Sequence, residues 1–129
     1  MPVAPHLESI SAIGEYSKTT EQFSFALRDF LDGFYEDPRP SKLADEPAPL
    51  TEILHDENYA DSYLAALAEH LARQSGFPIP AWSQNPGRVL KTPVFAFNTH
   101  EGRMFLLVES PTAFRARNIS ISADGLSRV

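Results

Sequence analysis

Residues 59–76 read YADSYLAALAEHLARQSG, and their apolar positions recur with a helical period that no other stretch of the chain matches. Ala60, Tyr63, Leu64, Leu67 and Leu71 fall within about a third of the circumference of a helix, with Ala68 at the margin. Ser62, Glu69 and Arg73 fall opposite, and a Glu four residues before an Arg is the favourable order for a solvent-facing pair. Asn58 can cap the start, Asp61 suits the first turn, and Gly76 stands where a left-handed residue closes a helix. This is the predicted core helix, and Leu67, in the middle of its apolar stripe, is the predicted centre of the core.

The other segments must fold around it. Pro5 opens a short predicted helix carrying Leu7, Ile10 and Ile13 and ending near Gly14. A longer helix follows, capped by Thr19 or Thr20. Phe23, Ala26, Leu27, Phe30, Leu31 and Phe34 recur on one face, which makes Leu27 a candidate core residue. Arg28, Asp29, Asp32 and Glu36 point away, and Gly33 suggests a close packing contact. Pro38 and Pro40 end this helix. Residues 36–58 form an acidic, proline-rich connection with short helical pieces, one of them capped by Ser41 and running through Leu43.

Beyond Gly76, Pro78 and Pro80 favour an extended path that lays Phe77, Ile79 and Trp82 across the core helix. Asn85 followed by Pro86 reads as a cap and first turn, and Ser110 followed by Pro111 reads the same way. The second start makes TAFRARN a short helix with Phe114 inward and Arg115 and Arg117 exposed, followed by an extended ISIS. Two apolar runs flank NTHEG within residues 94–109, and such short runs fit a helix or a hairpin equally.

Composition narrows the function classes. The 129 residues fit one domain, spanning 1–129, and lack cysteine, which excludes disulfide frameworks, thiolate metal sites and cysteine nucleophiles. No apolar run reaches the length of a membrane span, and the N-terminus lacks the order of a signal peptide, so a cytoplasmic location is expected. The net charge is −6, unevenly spread. Residues 1–62 hold 13 acids against 4 Lys and Arg, whereas residues 63–129 hold 4 acids against 7. An acidic balance disfavours general nucleic-acid affinity.

Catalytic and metal patterns are sparse. His6, His55, His70 and His100 show no metal-ligand spacing, and His70 reads as a packed boundary residue of the core helix. His55, Asp56 and Glu57 read as a solvated acidic loop, and Ser110 as a cap rather than a nucleophile. The sequence carries no nucleophile elbow, phosphate loop or nucleotide fingerprint, so no catalytic residue, metal or cofactor is expected. The set that stands out is basic: Arg103, Arg115, Arg117 and Arg128, near a predicted helix start at residues 110–112, form a candidate binding face for an acidic partner. The competing reading pairs these arginines with the acidic half of their own chain.

PAW at 80–82, ESPTAFRARN at 109–118 and SADGLSRV at 122–129 resemble the ending of a group of small, largely uncharacterised bacterial helical proteins. Their C-terminal pattern is P-x-W followed by SP-x-AFR-x-R, and the likeness covers roughly residues 59–129. It implies a predominantly helical fold and helix for 101–109; some of the group are encoded beside nucleotidyltransferase-like toxins, or follow a helix-turn-helix domain as an appended segment. No convincing helix-turn-helix precedes the matching region.

The fold expected is mainly α: a small single-domain bundle of short helices joined by extended proline-containing connections. The alternative is α+β with a C-terminal hairpin. The function expected is a non-enzymatic module that binds another protein, as an antitoxin or accessory partner of a toxin. A DNA-linked transcriptional regulator acting as a dimer is the alternative, with nucleic acid the less favoured partner, and a hydrolytic enzyme ranks last. No membrane partner is expected, and the sequence leaves the oligomeric state open.

Overall fold

The computed structural model describes residues 7–90, 94–95 and 112–120. It is mainly helical, as the periodicity predicts. Helix α1 is Ile10–Tyr16 and α2 is Thr20–Glu36, followed by the single turns α3, Ser41–Ala44, and α4, Thr51–Leu54. Helix α5, Tyr59–Ser75, is the predicted core helix, and two 3-10 turns, Ala81–Gln84 and Pro86–Arg88, follow it. Strand β1, Val94–Phe95, helix α6, Thr112–Arg115, and strand β2, Ile119–Ser120, complete the described chain. The two strands pair in parallel, Val94 with Ile119 and Phe95 with Ser120. Neither the hairpin nor the helix expected within 94–109 can be compared further, because residues 96–111 lie outside the described residues.

Helix α5 is buried far beyond its apolar stripe. Eleven of its 17 residues are buried, among them Ala65, Ala66, Ala72 and the polar Asp61, Ser62 and Glu69. Alanine side chains add little radius, so neighbours can approach the helix from several sides. Helix α6, both 3-10 turns and α4 all pack on α5, while α1 packs on α2 and α3. Helix α2 reaches α5 through aromatic rings. Phe23 meets Tyr63 edge-on with ring centroids 6.3 Å apart, and Tyr63 in turn meets Phe114 of α6 at 5.0 Å. Burial among these rings pushes the Tyr63 hydroxyl's pKa up, with smaller contributions from Tyr59 and Tyr35. Leu67 is fully buried. Leu27 is half-buried and packs against the core from its edge.

The helix ends follow local chemistry, with two corrections. Helix α1 begins at Ile10 rather than beside Pro5, because the Ser9 hydroxyl accepts from the Ala12 amide at 3.3 Å. Leu7 lies before the helix and donates its amide to Asp29 Oδ2 at 2.7 Å. Thr19 caps α2 by accepting from the Gln22 amide at 3.1 Å. Asn58 does not cap α5. Its backbone is left-handed, and Asp56 Oδ2 accepts from the Ala60 amide instead, at 2.9 Å. Gly76 does close the helix in the left-handed region, with φ +74°, while the Phe77 amide donates to the Ala72 carbonyl at 2.8 Å.

Gly33 is buried, and Lys42 Nζ donates to its carbonyl at 3.2 Å and to that of Asp37 at 2.8 Å. The tight backbone contact is at Gly14, in the middle of α1 rather than at its end. A β-carbon there would lie 3.0 Å from both the Ala48 amide nitrogen and its carbonyl oxygen, and 3.2 Å from Pro47 Cβ. Trp82 lies on the core as its prolines suggest and donates Nε1–H to the Leu43 carbonyl at 3.0 Å.

Two substitutions test this packing by chemical denaturation. Leu67→Ala should cost about 2–5 kcal/mol through lost burial and the cavity left behind. Gly14→Ala should destabilise by about 1–3 kcal/mol, although alanine is the better helix former, because the Ala48 backbone has to move. A Gly14→Ala protein as stable as the parent would show that the segment at residues 47–48 is free to retreat.

Candidate functional site

Of the four arginines of the candidate basic face, two, Arg115 and Arg117, fall among the described residues. Arg115 is exposed as expected. Arg117 is buried, only 4% exposed, and this corrects the expectation that it lies on the surface. Arg103 and Arg128, together with His6, His100 and Ser110, lie outside the described residues.

Arg117 is turned inward by a carboxylate on the core helix. Its Nη2 donates to Glu69 Oε1 at 2.8 Å and to the Ser83 carbonyl at 2.7 Å, and its Nη1 donates to the Ala113 carbonyl at 2.8 Å. Glu69, 6% exposed, also receives Gln84 Nε2 at 2.9 Å on Oε1 and Arg73 Nε at 2.8 Å on Oε2. Burial alone would raise the pKa of this carboxyl. Hydrogen bonds from Gln84, Arg117 and Arg73, with the Arg117 charge, outweigh it and hold the pKa at about 2. The Glu69–Arg73 pair exists as the sequence suggests, but only its Arg73 end faces solvent. Beside the cluster, His70 is half-buried against Phe114 with ring centroids 6.1 Å apart, and burial lowers its pKa.

A second buried cation, Arg88, escaped the sequence reading. Its Nε donates to Glu46 Oε2 at 3.1 Å, Nη1 to the Asp61 carbonyl at 3.1 Å and Nη2 to the Pro47 carbonyl at 2.8 Å. The guanidinium lies 5.0 Å from the centre of the Trp82 ring. Asp61 in turn accepts the Leu50 and Thr51 amides at 2.7 and 3.2 Å, fixing the start of α4. A polar cleft of about 220 Å³ opens over this knot, with Glu46, Thr51, Asn58, Asn85 and Arg88 among its lining. At its rim the turn between α4 and α5 holds His55, Glu57 and Asn58 in the left-handed region, which is costly for residues other than glycine.

Compared with protein-family models, with curated proteins and with solved structures, the chain matches none. Its chemistry therefore has to be judged from its own side chains. Among the described residues, no three His, Cys, Asp or Glu side chains gather where they could hold a metal ion. None of the described helices is long and apolar enough to cross a membrane.

Inside the fold, both buried arginines donate to protein acceptors, while the buried Nε of Arg117 has none. Outside it, the described surface is acidic: Glu8, Glu15, Glu21, Glu36, Asp37, Asp45, Glu46, Glu52 and Glu57 are exposed, against Lys18, Arg28, Arg39, Arg73 and Arg115. Asp45, Glu46, Glu52 and Glu57 fall in one stretch of chain that also exposes Ile53, at 42%.

One signal in the sequence points toward the Glu69 site. Ala65 and Ala72 lie one turn either side of Glu69, and Ser62 one turn further, so the supposedly wet face of α5 is made of small residues. Such a face invites another segment to pack closely. Arg88 had no comparable signal, because its partners are mostly backbone carbonyls.

The Glu69 carboxylate generates a test. Glu69→Gln leaves Arg117 buried without a counter-charge and should cost about 3–5 kcal/mol, a large part of a typical total of about 5–15 kcal/mol. The pH dependence has a definite sign. The folded pKa of Glu69 lies below its ordinary 4.5, so its stabilisation is complete above that value and is lost as pH falls toward about 2. Thermal unfolding followed across that window should show a steeper acid loss for the parent than for Glu69→Gln.

Proposed function

We propose that the protein is a non-enzymatic protein-binding module of the cytoplasm that presents an acidic surface, centred on residues 45–57, to a basic partner. The observation that carries this reading is the fate of the positive charge. Arg88 and Arg117 are turned inward onto Glu46, Glu69 and backbone carbonyls, which leaves the described surface negative. The partner's sign is thereby reversed relative to the basic face anticipated from the sequence. Exposed Ile53 supplies an apolar anchor amid Glu52, Glu57 and Asp45, and rim charges of one sign speed encounter with an opposite one.

The likeness of residues 59–129 to a group of which some are encoded beside nucleotidyltransferase-like toxins makes a toxin of that kind the first partner to test. A negative surface repels a phosphate backbone, which weighs against the DNA-linked alternative.

The experiment is a triple reversal, Asp45→Lys with Glu52→Lys and Glu57→Lys, compared with the parent for association with the captured partner and for thermal unfolding. The association rate should fall about tenfold or more while the dissociation rate and the unfolding temperature change little. An unchanged association rate in a folded triple variant would overturn the acidic-surface reading.

A further inference from the structure

Helix α2 uses one face for the core, burying Phe23, Ala26, Phe30, Leu31 and Phe34. A different stripe looks outward. Glu21, Phe25 and Arg28 follow one another at spacings of four and three residues, and all three are exposed. Phe25 is 52% exposed and leans on Tyr16 of α1, itself 43% exposed, with ring centroids 6.1 Å apart. An open cleft of about 350 Å³ runs beside them, lined by Phe25, Arg28, Asp29 and Asp32. Two large aromatic rings side by side at the surface are the most concentrated apolar feature on the described exterior, and aromatic residues are enriched in the buried centres of interfaces.

The order of charges along the stripe says what covers it. An acid precedes Phe25 by about one turn and a base follows it by about one turn, roughly 6 Å and 4.5 Å along the axis. A purely basic partner segment would meet Arg28, and a purely acidic one would meet Glu21. A second copy laid antiparallel with its two-fold axis at Phe25 meets an opposite charge at both places. Glu21 of each copy then lies level with Arg28 of the other. Self-complementarity of this kind is the requirement of a two-fold symmetric contact.

We propose that α2 is the seam of a symmetric dimer, in which Glu21, Phe25 and Arg28 of one copy pack antiparallel on the same residues of a second copy. Phe25 meets its equivalent at the axis, Tyr16 flanks it on each side, and two Glu21–Arg28 pairs close the rim. The seam involves residues other than the acidic surface at 45–57, so the dimer and the hetero-partner reading stand or fall separately. One helix face per copy makes a small interface, so the dimer is a reversible one with dissociation in the micromolar range.

Sedimentation equilibrium of the full chain over a wide concentration range tests this. The parent should pass from monomer to dimer, and Phe25→Asp should remain monomeric with an unchanged unfolding temperature, because Phe25 takes no part in the core. Glu21→Arg alone and Arg28→Glu alone should each weaken association about tenfold or more, and the double reversal should restore most of it. A parent that stays monomeric at the highest concentration overturns the proposal, as does dimerisation unaffected by Phe25→Asp. A double reversal no better than the single variants would equally exclude the antiparallel register. Capture of a different protein through Phe25 by a monomeric parent would assign the stripe to that protein instead.

Discussion

A single carboxylate on the core helix holds the segments that follow that helix against it. Glu69 sits on the most buried helix and collects donors from its own helix, from the 3-10 turn after it and from the segment that ends in β2. A charge taken out of water is tolerable only if its hydrogen-bonding capacity is filled, and here both oxygens are used. Of the three donors only Arg117 is itself buried, where water cannot substitute freely. The Arg117 backbone extends the same attachment. Its carbonyl accepts the Leu90 amide at 3.3 Å, and Asn118 Nδ2 donates to the Leu90 carbonyl at 2.6 Å.

Arg88 performs the matching task on the other side of α5. It links Glu46, the Pro47 carbonyl and the α5 backbone, and stacks against Trp82, whose ring nitrogen reaches back to Leu43. The acidic, proline-rich connection is thereby pinned along its length, with Lys42 holding its start and Asp61 its end. Prolines lower the entropy cost of ordering such a segment but provide no donors, so side chains from elsewhere must satisfy its carbonyls. A planar guanidinium with five donors suits that work better than an ammonium.

These internal uses of charge shape the exterior. The excess of bases in residues 63–129 is drawn inward by a carboxylate of that same half, Glu69, and by carbonyls and Glu46 of the first half. The asymmetry visible along the chain is therefore partly cancelled inside the molecule, and the described surface is acidic. The strained turn at residues 55–58 stands beside that surface. Its left-handed backbone is held by Asp56 capping α5 and by Asn58, whose side-chain amide donates to the Gly87 carbonyl at 2.7 Å.

The amino-acid sequence by itself determined the helices with a clear apolar period, namely α2 and α5, the closing of α5 at Gly76, and the burial of Leu67 and Phe114. Periodicity and capping are local, so they are legible without knowing the neighbours. The tertiary structure decided which polar residues go inside. Glu69 and Arg117 each look solvent-facing on their own helix, and 48 positions separate them in the chain. Their burial depends on the two meeting, because either charge alone would be driven back to water. Asn58 donating to the Gly87 carbonyl instead of capping α5, the close contact at Gly14 and the parallel pairing of β1 with β2 are of the same kind. Each is set by a segment distant in sequence, and no local pattern carries that information.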